Sequence, residues 1–168
     1  MGEKDRYSGQ WKVEPIPAFE AETVRATIET LLDMRAQFFA ERVDGIFRAL
    51  SRKHVTNSPQ GFRQRMILQR ALCEWGTVDW NTAGVINDLR SVIAKFMGRD
   101  EPRHGATDEL VKICRRNAGQ WMSIDGGALR MRVYAGVGTA HLEVHPDMAW
   151  RLNAILAHLH PTAIPAEF

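Results

Sequence analysis

The spacing of apolar residues changes once along this chain, near Gln120, and that change limits the fold more than any other feature. Upstream, apolar residues recur at threes and fours, the period of an amphipathic helix. Downstream they alternate, the period of a strand with one buried face. A chain that is helical first and then builds short neighbouring strands is of α+β type.

In the helical part, Val24, Ile28, Leu31, Leu32, Phe38, Phe39, Val43, Ile46, Phe47 and Leu50 predict one long helix over about residues 20–50, roughly 45 Å at 1.5 Å per residue. Ser58 followed by Pro59 has the form of an N-cap with proline at the first helical position. It predicts a second helix to about Trp75, with Phe62, Met66, Ile67 and Leu72 inward and Arg63, Arg65 and Arg70 outward. Asn81 or Thr82 can cap a third helix carrying Val85, Ile86, Leu89, Val92, Ile93, Phe96 and Met97, ended by Gly98. Pro102 holds a charged loop, and Thr107 starts a short helix that ends near Asn117.

Past Gln120, three strands are expected over about 121–124, 129–134 and 139–145, joined at Gly126-Gly127 and by the loop Ala135 to Gly138. Leu129, Met131, Val133, Ala140, Leu142 and Val144 form one face. A four-residue loop that sets Tyr134 opposite Thr139 also sets Arg132 opposite His141 and Arg130 opposite Glu143. Pro146 opens a final helix whose stripe of Met148, Leu152, Ile155, Leu156 and Leu159 can cover the apolar face. The expected organisation is an arm over 1–18, anchored by Trp11, Val13 and Ile16, and a single domain over 19–168. That domain has long N-terminal helices, then a three-stranded antiparallel meander packed by a C-terminal helix.

Composition narrows the class of function. With 45% hydrophobic and 25% charged residues the chain is globular in kind, and its polar first ten residues have no signal-peptide core. Two cysteines outside any C-x-x-C spacing, Cys73 and Cys114, read as buried free thiols on helices, which favours the cytoplasm. The net charge of +2 divides unevenly. It is roughly −2 over residues 1–50, +6 over 51–135 and −2 thereafter, so the middle is the basic part.

The polar face of the strands gathers the residues best suited to chemistry: Arg130, Arg132, Tyr134, His141, Glu143 and His145. In one reading Glu143 or a histidine moves a proton while Arg130 and Arg132 hold a phosphate, as metal-free RNA cleavage requires. In the plainer reading Arg130 and Glu143 are an ordinary cross-strand ion pair. His141, Glu143 and His145 also have the strand spacing of metal ligands, but a third ligand would have to come from elsewhere, His104 for example, so no metal and no cofactor is expected. His141-Leu142-Glu143 lacks the P-C-x-x-C that follows H-x-E in zinc deaminases, and the familiar nucleotide-binding and hydrolase motifs do not occur. Arg63, Arg65, Arg70, Lys112, Arg115 and Arg116, with Arg130, Arg132 and Tyr134, are candidates to touch nucleic acid or a protein partner, or else simply form solvated faces.

Three stretches add a resemblance. Val43-Asp44-Gly45-Ile46-Phe47-Arg48-Ala49-Leu50, Ile93 through Pro102, and Asp125 through Arg130 continuing through Gly138 to Asn153 resemble the family called domain of unknown function 4942, encoded by plasmids, integrative elements and phages. The resemblance implies a mobile-element setting, sometimes beside DNA methyltransferases and anti-restriction genes, and it assigns no catalytic residue. The expected function is therefore a non-enzymatic interaction protein of anti-defence type, anti-restriction or anti-CRISPR, binding nucleic acid or a host defence complex without a membrane. A metal-independent nuclease and an accessory subunit of a DNA methyltransferase are the alternatives.

Overall fold

The computed structural model describes residues 20–54, 57 and 61–160. Its elements are α1 (Ala21–Ser51), β1 (Arg65–Leu68), α2 (Trp80–Phe96), α3 (His104–Arg116), β2 (Met122–Ile124), a 3₁₀ turn at Asp125–Gly127, β3 (Leu129–Tyr134), β4 (Thr139–Val144) and α4 (Pro146–Leu159). The expected arm and the Ser58-Pro59 cap lie outside the described residues. The chain divides into two compact units, Met1–Gln37 and Phe38–Phe168.

In the first unit, α1 is exposed along its whole described length, including Val24, Ile28, Leu31, Leu32 and Met34. In the second, the remaining turns of α1 bury Ala40, Val43, Ile46 and Leu50. Val43, Ile46 and Leu50 join one core with Ile86, Leu89, Val92 and Ile93 of α2, Val111 of α3, Leu152 and Leu156 of α4, and the inner face of the sheet. Each fully buried aliphatic side chain contributes about 1.5–3 kcal/mol through area removed from water.

The sheet is antiparallel and four-stranded, in the order β1-β4-β3-β2. The expected register of β3 with β4 is present: Arg130 faces Glu143, Arg132 faces His141 and Tyr134 faces Thr139. The fourth strand, β1, corrects the three-stranded expectation and replaces the middle of the helix expected up to Trp75. Met66 and Leu68 point into the core while Arg65 and Ile67 point out, a period of two that four residues were too few to announce. Its pairing partner, β4, lies more than seventy residues away, with Arg65 opposite Glu143 and Ile67 opposite His141.

Two side-chain amides hold β1 and its approach in place. Buried Asn57 donates to Leu50 O at 2.7 Å and to Ile67 O at 2.8 Å, and accepts from Ile67 N at 2.9 Å, so it covers the strand's free edge. Buried Asn153 of α4 accepts from Phe62 N at 2.7 Å and donates to Phe62 O at 2.9 Å. After β1 the chain turns twice, not helically. Cys73 is therefore exposed, its N–H donating to Thr77 O at 2.7 Å, and only Cys114 is a buried thiol, pushed up to about 11 by burial.

The other helices start close to their expected ends. Asp79, ahead of Asn81 and Thr82, caps α2 by accepting from Thr82 N at 2.8 Å. α3 begins at His104, three residues before Thr107, because Pro102 stands just ahead of the first turn and does not interrupt it. Thr107 is buried, and its hydroxyl accepts from Arg90 at 2.8 Å while Arg90 grips Asp125 with two hydrogen bonds of 2.9 and 2.8 Å. That clamp holds Asp125 at φ +52, a left-handed conformation that non-glycine residues adopt at a cost.

Candidate nucleic-acid interface

Because strands alternate, the same four segments that bury Met66, Leu68, Leu129, Met131, Val133, Ala140, Leu142 and Val144 must present their other residues outward. Register orders the outward residues into rows. One row is Arg65, Glu143, Arg130 and Ser123, and the next is Ile67, His141 and Arg132, with Trp121 just before β2 continuing it. Thr139 and Tyr134 form a third.

The side chains in these rows converge. The guanidinium carbons of Arg65 and Arg130 lie 5.5 and 5.3 Å from the Trp121 ring centroid, so Arg65 reaches from one edge of the sheet towards the other. Arg65 Nε also donates to His141 Nδ1 at 3.2 Å. His141 packs on Tyr134 with centroids 4.7 Å apart, and Arg132 stacks over Tyr134 at 5.1 Å. Arg130 Nε donates to Glu143 Oε2 at 3.1 Å, and a second guanidinium nitrogen closes the ion pair. Arg132 Nε is buried and has no hydrogen-bond partner among the described residues.

Two grooves meet at His141. One of about 970 Å³ is lined by Phe62, Arg63, Arg65, Ile67 and, from α4, Trp150, a residue 70% exposed. The other, about 420 Å³, runs past His54, Gln69, Tyr134, Val137 and Thr139. The open face thus offers cations, flat rings and space together.

A family model for DUF4942, a domain of unknown function, matches residues 1–162. The chain belongs to that family. No curated protein and no solved structure matches it.

The DUF4942 face holds half of the residues that sequence reasoning singled out as site candidates. Arg65, Arg130, Arg132, Tyr134, His141 and Glu143 share it, and Arg63 lines the adjoining groove. His145 leaves it: β4 ends at Val144, and the His145 ring turns to cap α4, its Nδ1 accepting from Asp147 N at 3.2 Å. Arg70 sits in the turn after β1 at φ +56. Lys112, Arg115 and Arg116 belong to α3 and a different pocket. His104, the guessed third metal ligand, stacks instead on Trp80 at 3.8 Å. Among the described residues no group of three or more His, Cys, Asp or Glu is placed to hold a metal, and no helix is long and apolar enough to cross a membrane.

Trp121 and Trp150 were missed. Trp121 was legible by carrying the alternation of β2 back one residue, whereas Trp150 lies off the apolar stripe of α4 and gives no local signal. The electrostatics of the face follow from its arginines. Burial, then the nearby charges of Arg65 and Arg132, lower the His141 pKa below the ordinary histidine value, with Glu143 opposing. The imidazole is therefore neutral at pH 7, and its Nδ1 is the acceptor for Arg65.

Proposed function

We propose that this DUF4942 protein binds nucleic acid through the open face of its sheet and catalyses no reaction on it. The observation that carries the reading is the company kept there: Arg65, Arg130 and Arg132 beside the rings of Trp121, Tyr134 and His141, with Glu143 the one carboxylate in the rows. Arginine supplies charge for phosphates and a plane for bases, and aromatic rings stack on bases of any sequence. The mobile-element setting implied by the resemblance gives such a binder a role around host defence, of anti-restriction or anti-CRISPR type.

The nuclease alternative has one point in its favour, a neutral imidazole beside two arginines, which is the form of a general base. Against it, Glu143 is tied to Arg130, and His145, the second imidazole that could protonate a leaving group, is committed to a helix cap. A partner complex, including a DNA methyltransferase, is reached through the nucleic acid in this reading.

The test is fluorescence anisotropy with labelled oligonucleotides across a salt series, native protein against Trp121→Ala and the double change Arg130→Ala, Arg132→Ala. Binding should weaken as salt rises, and the double change should cost about tenfold in affinity and flatten the salt slope. Binding indifferent to salt and to these changes would make the partner a protein. Degradation of the oligonucleotide, lost in Glu143→Gln, would make the chain a nuclease.

A further inference from the structure

A second basic recess lies where β3 ends. The pocket, about 510 Å³, is lined by Gly76, Thr77, Val78, Lys112, Arg115, Arg116 and Ala135. Ala135 directly follows Tyr134, so the recess begins one residue beyond the last ring of the open face.

Its cations are not equivalent. Lys112 is held by Asp108 at 2.7 Å and Glu109 at 2.9 Å. Arg115 and Arg116 have no hydrogen-bond or ion-pair partner for their side chains among the described residues, and no carboxylate lines the pocket. They stand in the last turn of α3, whose carbonyl end carries about half a negative charge, too little to offset two guanidinium groups. The Arg115 guanidinium lies against the turn at Gly76, where φ of +74 favours glycine and an added Cβ would come within 2.5 Å of Arg115 Nη2.

We propose that this pocket seats a backbone phosphate of a single nucleic-acid strand whose bases lie on the sheet face. The inference rests on the sheet-face reading and adds to it a direction and a strandedness. A strand stacked on Trp121, His141 and Tyr134 must have its bases unpaired, because a duplex hides the base faces that rings need. Trp121 and His141 lie in one row across the strands and Tyr134 in the next, so a strand stacked on them crosses the sheet towards the end of β3, where Ala135 borders the recess that holds the two unpaired arginines. Guanidinium forks match phosphate oxygens two at a time, so Arg115 and Arg116 suit the task better than lysines.

Anisotropy with the full chain tests the proposal, using labelled oligo-dT and oligo-U of graded length, and the same dT strand annealed to its complement. Arg115→Ala with Arg116→Ala should leave the shortest strands unaffected, weaken the longer ones about tenfold and lower the single-strand salt slope by about 1.4, two contacts at about 0.7 each. The conservative pair Arg115→Lys, Arg116→Lys should restore the slope but not all the affinity, and circular dichroism should show all variants folded.

If the alanine pair binds long strands with native affinity and slope while Trp121→Ala weakens them, the phosphate seat is overturned and the sheet-face reading stands. If the alanine pair weakens binding and Trp121→Ala does not, the two arginines bind phosphate but the sheet-face reading, and the strand path that rests on it, is overturned. Preference for the annealed duplex, equal effects at every length, or displacement of the strand by inorganic phosphate alone would each overturn the strand-following path. Failure of the native chain to bind any oligonucleotide overturns both.

Discussion

The two faces of the sheet come from the same four strands and are built to opposite rules. On the inner face Leu129, Met131, Val133, Ala140 and Leu142 are fully buried, and every position could be exchanged only for something of like shape. On the outer face three arginines and three rings are partly exposed, and their arrangement adds little to stability, since exposed ion pairs are worth about 0–1 kcal/mol. The difference separates what holds the protein together from what it can hold. Substitutions on one face should be read in unfolding curves and on the other in binding curves.

The largest effect should come from the inner face. Leu142→Ala removes a fully buried side chain at the centre of the sheet, flanked by Met131 and Met66 across the strands. It should lower unfolding free energy by about 2–5 kcal/mol in a denaturant titration. The outward Arg130→Ala, Arg132→Ala pair should stay within about 1 kcal/mol of native in the same experiment. Similar losses from both would dissolve the distinction between the faces.

Asn57 belongs to neither face and sharpens the contrast. Its amide satisfies both outward backbone groups of Ile67, so Asn57→Ala leaves a donor and an acceptor at the edge of β1 without partners. A cost of about 1–3 kcal/mol is expected, together with faster hydrogen exchange at the Ile67 amide. Because β1 carries Arg65, nucleic-acid affinity should fall with it. Unchanged exchange at Ile67 would show that pairing with β4 is enough to hold the strand.

How much of this was legible follows from where each signal lies along the chain. The register of β3 with β4 could be read to the residue, because a four-residue loop ties it to local alternation, and register alone places Arg132 beside His141. α1, α2 and α4 were legible from ten, seven and five periodic apolar positions respectively. β1 was not. Met66 and Ile67 are adjacent apolar residues, the segment is four residues long, and the groups that make it a strand are β4 and Asn57. Missing β1 also put Arg65 on a helix and hid the larger groove. The family match extends over most of the chain but specifies no chemistry, so the open face had to be argued from its own side chains.

A smaller effect concerns pH. Burial and the arginines disfavour the charged imidazole of His141, so its folded pKa lies below its unfolded value near 6.5. Below that unfolded value the unfolded chain binds a proton that the folded chain resists. This group's contribution to stability is therefore complete at neutral pH and is lost as pH falls through the folded pKa. A bound phosphate reverses the preference by favouring imidazolium, so affinity for nucleic acid should rise as pH falls into the acidic range. His141→Gln should flatten both profiles, read by unfolding and by anisotropy across pH. A bell-shaped profile of strand cleavage in place of a monotonic rise in binding would indicate acid–base chemistry instead.

The smallest change expected is at Glu143, and it separates the binder from the nuclease most cleanly. Its carboxylate pairs with Arg130 on a side chain 17% exposed, against 53% for the arginine, so the pair is solvent-screened on one side. Glu143→Gln keeps the shape and removes the charge, and it should shift stability by no more than about 1 kcal/mol. In a binder, it frees Arg130 for a phosphate and takes away the one negative charge in the rows, so affinity should rise by a small factor and the salt slope steepen. In a nuclease that used Glu143 as its base, the same change would leave a folded protein with turnover down by about a hundredfold or more. Direction is therefore the discriminant: tighter binding with no cleavage by either form supports an open face made to hold a strand, whereas an active native enzyme silenced by one amide would assign that face to catalysis.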